Sequence, residues 1–335
     1  MSNSLSDFVD FPESIKLSVI INSFNRLQLL REALPSVIQS LNIALPGKFA
    51  VIVFDAGSTD GSIEFIRNFT SETKEFSLIC LCPPSNTDRS FSTGCNLAIQ
   101  KAAEIFPNLK WCFLFETDNF ITNPTALTLA VKLLEQEEQL AGVGFTLEGA
   151  NFCASFPTTT AFVLGQQLSH RLGLEQMKIH PWYPLAESRW GYSEVVFTSP
   201  MLIRYSAWQA TGGMDAAKFP FSDCDHDWCW TVHKQGWRLA VLDISGVIHD
   251  NKMIPSEWSC KRVLNFHQAR FRLLIKHRNS LAIWLKIMLF IRHNFEFFIL
   301  LLRVFLSQES KKSQAKKSLE SRQVLIKNVF YNYEA

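Results

Sequence analysis

Residues 111–119 read Trp-Cys-Phe-Leu-Phe-Glu-Thr-Asp-Asn, an apolar run that stops at two carboxylates one residue apart. Such a run is typical of a buried parallel strand, and ligands of open α/β sheets collect at the carboxyl ends of strands. In an extended segment, Glu116 and Asp118 are expected to project from the same side. Two carboxylates facing one point can bind Mg²⁺ or Mn²⁺ and leave positions for phosphate oxygens. Taken alone, such a pair is more often a solvated loop or a helix cap.

Apolar strands alternate with helical patterns along the chain, which is typical of βαβ units and a mostly parallel sheet. The first strand begins at Leu17, and a helix with a kink at Pro35 is expected to follow it. The pattern predicts further strands at 49–54, 78–81, 111–115 and 142–147, and helices at 93–106 and 125–139.

Length and composition fit one large α/β core with an appendage, since the chain has 335 residues and 47% apolar content. A net charge of +2 gives no sign of a nucleic-acid binder. The eight cysteines form no C-x-x-C pair and are interpreted as reduced thiols of a cytoplasmic protein. The amino-terminal residues lack the pattern of a signal peptide, so the catalytic part is not expected to cross a membrane.

Six other segments carry polar or glycine-containing turns: 22–26, 55–62, 89–98, 211–215, 223–227 and 246–249. In order and spacing, these segments and 111–119 resemble family 2 glycosyltransferases of the GT-A type, especially the rhamnosyltransferase-like branch. The resemblance covers about residues 16–250. It implies a Rossmann-like α/β fold with a mostly parallel sheet and flanking helices, to which a C-terminal helical extension is added.

The resemblance places a donor nucleotide at the ends of the first two strands. It implies contacts from Ser23, Asn25 and Arg26. It also implies that Asp55 accepts a hydrogen bond from the N–H of a uracil or thymine ring, which favours a UDP- or dTDP-sugar. Family members often have a second Asp where this chain has Ala56.

The resemblance adds three further residues to the nucleotide-sugar site: Gly57, Asn96 and Thr117. Two plainer interpretations stay open. The segment 57–61 also suits a tight turn in which Asp60 or Ser62 caps the next helix. Asn96 could equally be an ordinary residue on a helix face.

The metal site implied by the resemblance consists of Glu116, Asp118 and His249, and Asp118 is the expected direct ligand. Its physical role would be to neutralise charge that develops on the departing nucleoside diphosphate. A histidine that ends an apolar strand is otherwise more often a packing residue.

The segment Gly236-Trp237-Arg238, aligned with the family's "GWR", places Asp225 at the general base and Asp227 at a later family aspartate. Cys224 and Thr231 depart from the family pattern. The alternative is a helix start enriched in Asp for electrostatic reasons, and it explains Asp227 better than Asp225.

The turn at 212–215 is expected to shape the acceptor side through Gly213 and Asp215, or to be a plain turn. Four aromatic residues could stack on an acceptor sugar or cover the sheet, and both interpretations stay open: Trp182, Tyr183, Trp190 and Tyr192.

The expected division of the chain is a tail at 1–15, a catalytic domain at 16–258, an amphipathic helical extension at 259–306 and a polar tail at 307–335. Disorder is expected over 307–321. The extension mixes basic and aromatic residues without an apolar run of about 20 residues. It suits helices on the inner face of the cell membrane, or a lid on the catalytic domain or a partner subunit.

The sequence therefore predicts an inverting glycosyltransferase that builds a surface polysaccharide on a glycan or lipid-linked acceptor. The alternative is an inactive subunit that binds a nucleotide sugar or a glycan. A processive polysaccharide synthase is disfavoured because Arg189-Trp190 precedes the Asp225 loop, whereas a "QxxRW" motif would follow it. A sugar-phosphate nucleotidyltransferase is disfavoured because no basic Gly-rich loop follows the first strand. The sugar, the acceptor, the linkage and the oligomeric state are not assigned.

Overall fold

The structure, a computed structural model, describes residues 13–72, 76–148, 153–174, 178–249, 259–306, 309–331 and 333. Its strands are β1 Leu17–Ser23, β2 Phe49–Asp55, β3 Ser77–Leu81, β4 Trp111–Leu114, β5 Asn119–Ile121, β6 Leu140–Phe145, β7 Cys153–Ala154, β8 Tyr183–Leu185, β9 Ser188–Ser193, β10 Val195–Val196, β11 Met201–Arg204, β12 Arg238–Asp243 and β13 Val247–His249.

The helices are α1 Leu27–Ala44, α2 Ser62–Glu72, α3 Phe91–Ile105, α4 Thr125–Gln136, α5 Thr159–Leu164, α6 Gln166–Arg171, α7 Tyr205–Thr211, α8 Cys224–Lys234, α9 Cys260–Arg278, α10 Ala282–Leu306 and α11 Glu309–Asn328. The expected elements are present with ends that differ by a few residues. Pro35 stands inside α1, which is continuous on both sides of it.

Nine strands form the central sheet in the order β3-β2-β1-β4-β11-β6-β12-β9-β8. Strands β3, β2, β1 and β4 are parallel, whereas β11 runs antiparallel between β4 and β6. The mostly parallel sheet expected from the sequence is confirmed. Because β1, β2 and β4 end at the same edge, the loops that follow them meet there.

Both faces of the sheet are covered, which explains why central strands such as β2 and β4 are almost entirely apolar. Val19 and Ile21 of β1 pack with α1 and α4 on one face, whereas Ile20 packs with α3 and α8 on the other. All seven residues of β2 are buried. This two-sided core gives the loops at the strand ends a rigid base.

A third apolar cluster joins α5 to α9, α10 and α11. It contains Phe162, Phe271, Leu274, Leu285, Leu289, Leu325, Val329 and Tyr333. The expected disorder over 307–321 is wrong for its described part, since α11 begins at Glu309. The Lys- and Ser-rich first half of α11 is continuous with Leu325, which is fully buried, and tertiary packing of this kind supplies most helix stability.

The expected tail at 1–15 lies mostly outside the described residues. Within the described helices, none has an apolar stretch long enough to cross a membrane.

Candidate active site

The loops after β1 and β2 are joined by side-chain hydrogen bonds. The Asn25 backbone N–H donates to Ser58 Oγ at 2.8 Å, and Asn25 Oδ1 accepts from the Thr59 N–H at 2.8 Å. Asn25 has a φ of 52°, a left-handed conformation that Asn tolerates better than most residues. Asn25 therefore fixes one loop against the other, while Arg26 next to it is exposed.

Asp55 is buried at the end of β2 and its carboxylate holds the following turn. Oδ1 accepts from the N–H groups of Gly57 and Ser58 at 2.9 and 2.7 Å, and Oδ2 accepts from Ser58 Oγ at 2.7 Å. A carboxylate oxygen accepts two hydrogen bonds, so Oδ2 retains capacity for one more donor. Ser23, the last residue of β1, is buried beside this turn and pairs with Asp55 in register.

Two neighbouring residues support the same turn. The Asp60 carboxylate accepts from the Leu27 N–H at 2.9 Å, at the start of α1, and from the Ser62 N–H at 3.1 Å. Asp60 thus links the two loops, besides contacting Ser62 as expected. Gly57 has a φ of +96°, and the Arg89 guanidinium lies where its Cβ would be and donates to the Ala56 carbonyl at 3.0 Å. A larger residue at 57 would displace Arg89.

The two carboxylates after β4 lie at a turn, so the expectation of an extended segment at this point is wrong. β4 ends at Leu114, and the Asn119 N–H donates to the Glu116 carbonyl at 3.1 Å. The turn brings the two carboxylates close enough to interact. Burial, followed by the charges of Asp118 and Asp225, raises the pKa of Glu116 to about 8, and nearby Arg26 opposes this shift. Thr117 is buried between the two acids.

His249 lies beside this turn because β13 pairs antiparallel with β5 and places His249 opposite Asn119. His249 Nδ1 is 3.5 Å from Asp118 Oδ1, 3.0 Å from Asn119 Oδ1 and 3.2 Å from Ser199 Oγ. Ser199 also contacts the Asn119 side chain at 2.8 Å. The ring of His249 is therefore held next to Asp118 by two other oxygen-bearing side chains, Asn119 and Ser199.

The residues present fit a divalent cation through Asp118 and His249. A hard carboxylate oxygen and an imidazole nitrogen meet there, and a cation would relieve the repulsion from Asp118 and Asp225 that contributes to the raised pKa of Glu116. No group of three or more His, Cys, Asp or Glu side chains has ligand geometry in the part of the chain that the structure describes. Glu116 consequently does not complete a three-residue site in this arrangement.

Asp223, at the start of α8, is tied to α9 by a bidentate pair. Arg270 Nε and Nη2 donate to its two carboxylate oxygens, each at 2.9 Å, and both side chains are buried. Such a planar two-point contact fixes both partners in position. Asp223 has a φ of 58°, and Arg270 holds this unfavourable backbone conformation in place.

Asp227 is tied to α9 by two other residues. Lys276 Nζ lies 2.8 Å from Asp227 Oδ1, and His277 Nε2 lies 2.7 Å from the same oxygen. Lys276 also donates to Asp215 Oδ2 at 3.0 Å, which joins the turn at 212–215 to α8. Burial would lower the pKa of Lys276, but its contacts with Asp227 and Asp215 raise it above its usual value, so it stays charged.

Asp225, between these two residues, makes its side-chain hydrogen bonds with His226 alone among the described residues. Oδ1 accepts from the His226 N–H at 2.8 Å and lies 3.0 Å from His226 Nδ1. Burial favours a raised pKa, but the charge and hydrogen bonds of His226 outweigh it and hold the pKa of Asp225 below its usual value. The carboxylate is therefore ionised at neutral pH, and its negative charge contributes to the raised pKa of Glu116.

The turn at Gly213 is held by Asn96. Asn96 Nδ2 donates to the Met214 carbonyl at 2.8 Å, and Asn96 Oδ1 accepts from the Met214 N–H at 3.0 Å. Gly213 has a φ of +78°, and a Cβ there would lie 2.6 Å from Asn96 Oδ1. Both ends of the Asn96 amide thus position the 212–215 turn, and this contact accounts for the residue without a nucleotide.

Six residues that the sequence did not single out contribute to the site: Asn119, Ser199, His226, Arg270, Lys276 and His277. Asn119 and His226 adjoin predicted residues, so proximity in sequence could have indicated them. The three residues of α9 lie 47 to 61 positions from their partners, and only the basic composition of 259–306 pointed to them.

The four aromatic residues considered for an acceptor lie on or beside β8 and β9. The rings of Tyr183, Trp190 and Tyr192 contact one another, and Trp190 is buried in the main core. Arg189 covers the ring of Trp182, and Arg238 that of Tyr192. This packing favours the interpretation that they cover the edge of the sheet.

Residues 18–167 match the model of Glycosyl transferase family 2, a segment that includes Glu116 and Asp118 but ends before Asp225 and His249. No curated protein matches the chain. The chain is similar in structure to the mannosyltransferase PcManGT from Pyrobaculum calidifontis in complex with GDP-Man and Mn²⁺, with a TM-score of 0.53 and 13% identity over 93% of this chain and 85% of that one.

It is also similar to S. aureus TarS 1-349, with a TM-score of 0.50 and 14% identity over 94% of this chain and 82% of that one. GalNAc-T7 with UDP, GalNAc and Mn²⁺ gives a TM-score of 0.55 and 10% identity over 78% of this chain and 47% of that one. At these identities the likeness shows the fold alone. The chain thus has the GT-A fold, and its residues 18–167 are similar to Glycosyl transferase family 2.

Proposed function

We propose that this protein is an inverting, metal-dependent glycosyltransferase that uses a UDP- or dTDP-sugar. The observation that carries the proposal is the arrangement around Asp225. Its carboxylate is ionised, Oδ2 accepts no hydrogen bond from the described residues, and it faces Glu116, whereas Asp223 and Asp227 are held by α9. A general base needs these properties.

In the proposed reaction, Asp225 takes the proton from an acceptor hydroxyl as that oxygen attacks the anomeric carbon of the donor. A new carbon–oxygen bond forms while the bond from this carbon to the diphosphate oxygen breaks, and the diphosphate leaves with the electron pair. Attack from the face opposite the nucleotide inverts the anomeric centre. Mn²⁺ or Mg²⁺, held by Asp118 and His249, would supply charge neutralisation for the diphosphate.

The donor nucleotide is assigned to the loops after β1 and β2. Asp55 Oδ2 has capacity for one further donor, such as a ring N–H of uracil or thymine. Ser23, Asn25, Arg26, Gly57 and Thr117 shape this pocket in the proposal, and Asn96 acts through the acceptor turn with Gly213 and Asp215. The rhamnosyltransferase-like motifs make a dTDP-activated rhamnose the first donor to test.

The acceptor in this proposal is a glycan or a lipid-linked glycan of a surface polysaccharide, and the protein works at the inner face of the cell membrane. No observation favours the inactive-subunit alternative. Cys224 is buried with its thiol 3.8 Å from the Phe221 carbonyl, and Thr231 Oγ1 donates to the Asp227 carbonyl at 2.8 Å. Both departures from the family pattern are accommodated within α8.

The test is a screen of nucleotide sugars for release of the nucleoside diphosphate, with Mn²⁺, with Mg²⁺ and with a chelator. We expect a UDP- or dTDP-sugar to be hydrolysed slowly, and only with a divalent ion. Turnover restricted to GDP-sugars would overturn the donor assignment. Binding of a donor without turnover, in the presence of acceptor glycans, would favour the inactive-subunit alternative.

A further inference from the structure

Helix α10 presents an unusual outer face. Seven apolar residues repeat at alternating steps of four and three positions along it, and each is between 45% and 76% exposed: Trp284, Met288, Ile291, Phe295, Phe298, Leu302 and Phe305. Ile283, Ile299 and Leu306 are exposed beside them. Exposed apolar faces of this size mark a site of interaction with another surface.

The polar side chains of α10 mostly point the other way. Lys286 donates to the Phe330 carbonyl at 3.4 Å, and Arg292 donates to the Phe162 carbonyl at 2.6 Å. Glu296 lies 2.9 Å from Arg322 of α11. Among the charged residues of α10, only Arg303 is exposed. The outer face is therefore apolar without the flanking charges that guide the pairing of coiled-coil helices.

Charge is strongly separated between the two parts of the chain. Helices α9, α10 and α11 carry fifteen Lys and Arg against three Asp and Glu, whereas the whole chain has 33 against 31. The rest of the chain is consequently acidic by about ten charges. The net charge of the whole chain is near zero because the positive charge of the helical bundle offsets the negative charge of the rest of the chain.

We propose that α10 lies in the surface of an anionic lipid bilayer, with its aromatic-rich face among the acyl chains. A bilayer with anionic headgroups complements both properties of the bundle, the apolar face and the excess of positive charge. A second copy of the chain complements only the apolar face, because it would bring two bundles of the same positive charge together.

This docking also orients the active site, in a step that rests on the proposed function. α9 packs with α10 in one apolar cluster and holds Asp223 and Asp227 through Arg270, Lys276 and His277. The element that contacts the bilayer is thus joined to the loop of the general base through one intervening helix. Such an arrangement suits an acceptor whose lipid end stays in the membrane.

The test is co-sedimentation of the full chain with vesicles of phosphatidylglycerol and phosphatidylcholine, compared with phosphatidylcholine alone. We expect binding to the anionic vesicles at low salt, and weaker binding in 0.5 M NaCl because salt screens the basic bundle. Phe305→Ser should weaken binding about tenfold, and the triple variant Phe295→Ser, Phe298→Ser, Phe305→Ser at least 100-fold. All three side chains are exposed, so the fold should be retained.

The control is Ile43→Ser, which removes an apolar side chain of 54% exposure from α1 and should leave vesicle binding within twofold of the parent. A parent chain that ignores anionic vesicles at low salt overturns the proposal. So does a dimer in sedimentation velocity that the triple variant abolishes while vesicle binding is unchanged. Vesicle binding needs no donor, so a failed donor screen leaves this result intact.

Discussion

Three aspartates within five residues have different surroundings, and these surroundings divide their roles. Asp223 and Asp227 are each bound by positively charged or histidine side chains of α9, so their carboxylates have fixed structural partners. Asp225 contacts only His226, and one of its oxygens stays available within the described residues. Sequence alone ranks the three by alignment, whereas the structure ranks them by the partners that each has.

Asp225→Asn should lower turnover by about 10²- to 10⁴-fold with little change in donor binding, because the amide keeps the size of the side chain but cannot take a proton. Asp227→Asn should instead lower the free energy of unfolding by about 1 to 3 kcal/mol, because it weakens buried contacts with Lys276 and His277. Steady-state kinetics and urea unfolding of both variants separate the two effects. Near-normal turnover in Asp225→Asn, with a large loss in Asp227→Asn, would reverse the assignment.

Asp118→Ala should abolish transfer and remove the dependence of UDP binding on Mn²⁺, because it deletes the carboxylate that lies beside His249. Isothermal titration of UDP with and without Mn²⁺ measures this directly. The matched control is Asp243→Ala, which removes a carboxylate paired with Arg189 at the surface at 2.6 Å. If the Asp118 variant keeps the metal dependence of the parent, the metal site lies elsewhere.

At the scale of elements, α9 joins parts of the catalytic domain that are distant in sequence. Lys276 contacts both Asp215 in the acceptor turn and Asp227 in α8, so one ammonium group holds the two elements together. Asn96 holds the same turn from α3. The turn at 212–215 is thus fixed from two directions, and α9 is part of the framework that holds the proposed acceptor side of the site.

Lys276→Met should lower the free energy of unfolding by about 1 to 3 kcal/mol, because the buried Asp227 would lose one of its two partners. It should also raise the acceptor KM more than it changes kcat, since the turn at 212–215 loses its tie to α8. Arg189→Met, which removes an exposed pair, is the control and should change stability by less than about 1 kcal/mol. An unchanged acceptor KM in Lys276→Met would mean that the turn does not position the acceptor.

The sequence predicts the elements of this site better than their contacts. Buried strands such as β2 and β4 are recognisable from apolar runs, and the position of the acids at their ends follows from parallel pairing. His249 was indicated by the family resemblance alone, since β13 pairs antiparallel with β5. The turn at 116–118 was not predictable, because its conformation depends on the pairing of β5 with the distant β13. The partners of Asp223 and Asp227 were not predictable either, since helix periodicity does not specify which helix packs on which.

At the scale of the whole molecule, a polar cluster is buried between the C-terminal helices. His293 is fully buried on α10, and its ring lies 5.1 Å from that of His267 on α9. Three charged groups face it: Glu296, with Oε2 at 3.8 Å from His293 Nδ1, and Arg292 and Arg322. The bundle that carries the proposed membrane face therefore contains histidines that resist protonation.

The stability of the chain should fall as the pH is lowered from about 6.5 to about 4. Burial, together with the charges of Arg292 and Arg322, lowers the pKa of His293 to about 4, against 6.5 for an unperturbed histidine. Between these values the unfolded chain binds a proton that the folded chain does not, so stability rises with pH and is lost on acidification, by up to about 3 kcal/mol from this residue. Burial also lowers the pKa of His267, which contributes in the same direction.

Urea unfolding of the full chain at pH 7, 6 and 5 measures the loss. The free energy of unfolding of His293→Gln should depend less on pH than that of the parent. His170→Gln, a change at an exposed histidine of α6, should keep the pH dependence of the parent. Equal losses in the parent and in His293→Gln would show that acid sensitivity arises outside the bundle.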